Sequence, residues 1–194
     1  MSVEEVLSGA REKLKTARFG LEDMRQRPER FYSGLMNAIV FGRMVTFALQ
    51  NLRSKVDGYD EWYAEKQAEL KADPLMRFFS DLRTEIEKRT ERHTGVSSVL
   101  NFNLRRDRRH FEPAPPGAIS MFIADQTGGS GWQVRMADGS IEHYYVDIPK
   151  SIADVQVYFL KAPIEYAGRS ADDLLEQYLD KLSALVSEAQ LRFR

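Results

Sequence analysis

Cysteine is absent from this 194-residue chain. That excludes a disulfide framework, a thiolate zinc site and a thiol nucleophile, and makes the reducing cytosol the expected compartment. Long apolar runs are missing too. No stretch reaches the ~18 consecutive apolar residues that a membrane span asks for, and the most apolar one, GLMNAIVFGRMVTFALQNL, is broken by Asn37 and Arg43. The first residues, MSVEEVLSGAREK, lack the basic start and apolar core of a secretory signal. A cytoplasmic protein with no membrane association is therefore expected. Internal repeats and low-complexity tracts are also lacking.

Metal and nucleophile motifs are equally scarce. The three histidines, His93, His110 and His143, share no metal-ligand spacing, and neither HExxH nor GxSxG occurs. TGGSGW, residues 127–132, is glycine-rich but lacks the lysine of a phosphate loop and precedes a strand, so it reads as a flexible turn. Neither a metal nor another cofactor is expected. Net charge is −1, with +3 over residues 1–116 and −4 over 117–194, so neither half is a general polyanion binder.

What is present is mostly helix signal. Ser2 and Glu5 form a capping box, after which Val3, Val6, Leu7, Ala10, Leu14, Ala17, Leu21 and Met24 recur at three- and four-residue steps. Gly20 weakens the middle of this helix. Pro28 opens a second helix whose buried face runs from Phe31 to Leu52, and Met36, Val40, Phe41, Met44 and Phe47 carry the apolar stripe almost all round, as for a central helix. Gly58 is its expected stop. A short third helix carries Trp62 and Tyr63, and Asp73–Pro74 starts a fourth that ends near Gly95.

Residues 102–117, with Arg105, Arg106, Arg108 and Arg109 followed by prolines, read as a linker. Beyond them the period switches to two. Strands are expected over Ile119–Ala124, Trp132–Ala137, Ile141–Ile148 and Val155–Leu160, with Asp138–Gly139 as a hairpin turn. Ser170 and Asp173 then cap a last helix with a leucine stripe from Leu174 to Ala189.

The stretch DPLMRFFSDLRTEIEK, residues 73–88, resembles the conserved helix of HEPN-type proteins. Their signature is an arginine, a small polar residue and a histidine four to six residues after the arginine. Arg83 and Thr84 match it, and Lys88 stands where the histidine is expected. The resemblance covers roughly residues 28–95, including the Trp62–Tyr63 pair. It implies a helical bundle that pairs as a homodimer along the motif face, in a toxin–antitoxin or phage-defence setting. With histidine present, such a site moves the ribose 2′-hydroxyl proton while arginine neutralises phosphate. With Lys88 in its place, the expected role is protein or RNA contact without cleavage. Thr84, Lys88 and the four arginines of 105–109 are the candidate binding residues. The alternative is a metal-independent ribonuclease that uses Arg83 with His93 or His110.

The expected architecture is α+β: a four- or five-helix bundle with a small antiparallel meander before the C-terminal helix. Its parts are an N-terminal bundle (1–101), the basic and proline-rich linker (102–117), the β unit (118–165) and a final helix (166–194) that returns to the bundle.

Overall fold

The computed structural model describes residues 1–88 and 92–193. Helix α1 (Val3–Gln26) starts on the expected box, with Ser2 Oγ accepting from the Glu5 N–H at 3.2 Å while the Glu5 carboxylate accepts from Ser2 N–H. A single 3₁₀ turn (Pro28–Arg30) reverses the chain into α2 (Phe31–Gln50). These two helices share the most extensive packing in the fold. They touch through Gly20 and Gly34, where the backbones themselves meet.

Gly58, at φ +71°, stands before α3 (Tyr59–Ala72) and so caps the start of the third helix instead of simply stopping the second. Asp73 Oδ1 accepts from the Leu75 and Met76 N–H groups at 2.9 and 3.2 Å, which opens α4 (Pro74–Lys88). The same carboxylate holds Lys181 at 2.6 Å and so ties that start to the last helix, α6 (Ala171–Arg192). Helix α6 lies against α1, α2 and α4. Its stripe Leu174, Leu175, Tyr178, Leu179, Leu182, Leu185, Val186 and Ala189 is buried throughout.

The helix-dominated α+β class is as expected, but the β part is larger and differently arranged. Strand β1 (Thr94–Leu100) lies where a helix end was expected near Gly95, with α4 ending at Lys88. It pairs antiparallel with β5 (Ala153–Phe159), Thr94 opposite Phe159 and Leu100 opposite Ala153. Phe159 fixes this ribbon to the bundle, its ring 5.3 Å from Phe78 and 5.5 Å from Phe79. A second sheet keeps three of the four strands expected in the meander, β2 (Ala118–Phe122), β3 (Gly131–Arg135) and β4 (Ile141–Tyr145), in that order, while the fourth, expected over Val155–Leu160, is β5 and pairs with β1 instead. Gly139, at φ +87°, makes the β3–β4 turn.

Residues 102–117 are not a plain linker. They contain a one-turn helix, α5 (Leu104–Asp107), continuing as a 3₁₀ turn to Phe111. Helix α2 also departs from the all-round burial expected of it, since Tyr32, Met36, Met44 and Phe47 are exposed. By length and composition Pro28–Ser54 would suffice to cross a bilayer, which counting consecutive residues overlooked. Here 44% of its most apolar window is buried in the fold.

Candidate functional site

The motif helix and the arginine run occupy different places. On α4, Arg83 is half-buried and Lys88 is exposed at the C-terminal end. The Thr84 hydroxyl donates to Ser80 O at 3.2 Å, one turn back on its own helix. The α4 residue that meets His93 is Glu85, whose Oε2 lies 3.7 Å from His93 Nδ1 and 3.2 Å from Lys161 Nζ. These three groups, with Phe78, Asp81 and Leu82, line a cavity of about 180 Å³ that Arg83 does not line. His93 Nε2 is buried without a hydrogen-bond partner among the described residues. The imidazole thus faces a carboxylate and an ammonium.

The arginine run is built on a turn closed by its own hydrogen bonds. Asn103 Oδ1 accepts from the N–H groups of Arg105 and Arg106 at 3.0 and 3.3 Å, capping α5. Asp107, 2% exposed, returns the restraint by accepting from Asn103 N–H at 2.8 Å. Arg106 grips both oxygens of Asp107, Nε to Oδ1 at 2.7 Å and Nη2 to Oδ2 at 2.8 Å. The guanidinium beside it pushes the Asp107 carboxyl down to about 2. Buried Phe111 anchors the far end: its carbonyl accepts from Trp132 Nε1–H at 2.7 Å, and its ring lies 5.9 Å from Phe102.

All four arginines are exposed on this base. Arg108 pairs with Glu112 at 2.8 Å. Among the described residues no carboxylate lies within 4 Å of Arg105 or Arg109. His110 sits on the same turn and interacts with Asp107, so it joins the arginines and not Arg83.

Residues 18–104 match the family model described as Bacteriophage lambda protein ea47. The match runs from α1 to the first residue of α5, less than half of the chain. It takes in Arg83, Lys88 and His93 and stops before Arg105. Comparison with curated proteins and with solved structures yields no match.

Two clusters escaped the sequence reading. Asp125 Oδ1 accepts from Thr127 N–H and hydroxyl and from Gly129 N–H at 2.6–3.0 Å, which makes residues 125–129 a hydrogen-bonded turn leading into β3. Its Oδ2 accepts from the Tyr145 hydroxyl at 2.8 Å and stands 3.2 Å from His143 Nδ1. Burial raises the Asp125 pKa, but these hydrogen bonds outweigh it and hold the carboxyl below the usual range. Burial, then the neighbouring Asp125, push Tyr145 up to about 12. The only hint in the sequence is that His143 and Tyr145, two apart on β4, share a face. The second cluster surrounds Arg43 on α2, a residue visible in the sequence only as a break in an apolar run.

Proposed function

We propose that this chain is a HEPN-like protein that holds single-stranded RNA on the arginine turn of residues 103–111 and releases it uncut. The observation that carries this reading is four exposed arginines within the five residues 105–109 of a hydrogen-bonded turn, two of them without a carboxylate within 4 Å among the described residues. Guanidinium forks fit phosphate oxygens, and a turn already ordered by Asn103, Asp107 and Phe111 loses little freedom on binding. Phosphate oxygens spaced along a single strand can reach such a turn.

Absence of cleavage follows from Lys88. An ammonium group holds phosphate but has no lone pair with which to take the 2′-hydroxyl proton, and general-base help is worth about 10²–10⁴ in rate.

The test is filter binding of a uridine-rich 20-mer across a salt series, with the RNA recovered and sized afterwards. Wild type should bind and return full-length RNA. Each phosphate contact on a single strand contributes about −0.7 to the slope of log K against log salt. Arg105→Ala/Arg109→Ala should therefore flatten the slope by about 1.4. Equal slopes for the two proteins, or shortened RNA with wild type, would remove this reading. Arg106 is unsuited to the test, because its loss strands the buried Asp107 charge and disturbs the turn itself.

The same reading carries a homodimer. Tyr32, Met36, Met44 and Phe47 give α2 an exposed apolar stripe of the character that a shared helical interface requires. Light scattering should give twice the 22.3 kDa chain mass at micromolar concentration. A mass that stays at the monomer value throughout that range would end the dimer.

A further inference from the structure

Four helices, α2, α3, α4 and α6, line a second cavity of about 300 Å³ that opens to the surface between them. Its apolar lining is buried Met76, Tyr178 and Leu182. Gly42 lets the Tyr178 ring lie flat against α2 there, since a Cβ at position 42 would stand 2.6 Å from Tyr178 Cε1. Three cations line the same space: Arg43 from α2, Lys71 from α3 and Arg77 from α4.

Arg43 is the unusual one. It is half-buried, its Cζ lies 4.6 Å from the centre of the Phe47 ring, and its Nη1 donates to Thr46 Oγ1 at 2.9 Å. Among the described residues no carboxylate lies within 4 Å of Arg43, Lys71 or Arg77. Asp81, the acidic residue in the lining, forms no ion pair with them. The lining therefore turns a formal charge of +2 toward an open volume. A partly desolvated guanidinium without a counter-charge is costly, and an incoming anion relieves that cost.

We propose that this cavity binds a small phosphate monoester. The charge of a monoester near neutral pH, about −1.5 to −2, matches the lining. Arg43 and Arg77 supply forks for its oxygens, and Met76 and Leu182 give the organic part an apolar wall. Other titratable clusters do not carry this inference. In the small cavity Glu85 already faces both His93 and Lys161. In the Asp125 cluster the carboxylate is saturated by its own turn and by Tyr145.

Ribose 5-phosphate and ribose serve as probes, titrated into the full chain by calorimetry and by thermal shift. Ribose 5-phosphate should bind and raise the melting temperature, and ribose should do neither. Loss of one charge-assisted pair should weaken binding about tenfold or more in Arg43→Gln. The rim variant Lys71→Ala/Arg77→Ala, altered only at exposed side chains, should weaken it similarly while its own melting temperature stays at the wild-type value. A 5′-phosphorylated trinucleotide and its 5′-hydroxyl counterpart separate the two sources of such a group. Competition by the phosphorylated one alone assigns the site to RNA ends, and competition by neither assigns it to a free metabolite; both uphold the monoester. Failure of every phosphate to bind, or undiminished binding in the rim variant, overturns the proposal.

Discussion

Ending the chain at Gly168 should leave a protein that no longer melts cooperatively and that aggregates on purification. Helix α6 contributes Leu174, Leu175, Leu179, Leu182, Leu185 and Val186, none more than 5% exposed. At about 1.5–3 kcal/mol for each fully buried side chain, their loss is comparable with the whole net stability of a domain, about 5–15 kcal/mol. Polar ties go with them. Trp62 Nε1–H loses its acceptor Glu188 at 2.8 Å, Asp73 loses Lys181, and Arg25 loses Asp172 and Glu176. The surfaces left bare are the buried stripe of α1 and the ring of Phe79, which stacks on Tyr178 at 4.5 Å. Circular dichroism against temperature and size-exclusion chromatography make the comparison. A soluble truncated chain with an unchanged melting temperature would mean that α6 contributes nothing to the bundle.

How far the sequence discloses this fold depends on whether contacts are local. Every residue named for the stripe of α6, and all but half-buried Val3 of those named for α1, is buried, because helical periodicity encodes a face directly. Strand β1 is different. Its partner β5 lies more than 50 residues away, and Val99 and Leu100 are exposed at 73% and 53%, so nothing in GVSSVL itself announces a strand. The arginine turn was hidden by its composition: arginines and prolines suggest a linker, while the ordering residues are one cap, Asn103, and one buried acid, Asp107. Of the candidate site, Arg83, Thr84 and Lys88 were legible as types on one helix. That α4 presents Glu85, and not Arg83, to His93 depends on where β1 returns. The cavity at Arg43 draws on four helices, and positions 43, 71 and 77 have no spacing that links them.

Replacing Gly34 with alanine should lower the melting temperature, although alanine is the better helix former by about 1 kcal/mol. A Cβ at position 34 would lie 2.5 Å from Gly20 O and 2.7 Å from Met24 N, and one at Gly20 would lie 2.5 Å from Gly34 O and 2.6 Å from Ala38 N. These are backbone atoms of a facing helix, which no change of rotamer can move. Relief comes only by separating α1 from α2, which loosens the packing of Leu21, Met24, Leu35 and Ala38 around the contact. Overpacking ordinarily costs about 1–3 kcal/mol, and a backbone clash belongs at the upper end. At about 2–4 °C per kcal/mol for a chain of this size, a loss near 3 kcal/mol is a fall of about 6–12 °C. Gly9, in the same α1 as Gly20, gives the control. Nothing lies within 4 Å of a Cβ built there, so Gly9→Ala should gain about 0.5–1 kcal/mol from propensity alone. Scanning calorimetry of the two variants should move their melting temperatures in opposite directions. If Gly34→Ala rose alongside Gly9→Ala, helix propensity would outweigh the α1–α2 contact, and the close crossing of these helices would not be what determines their packing.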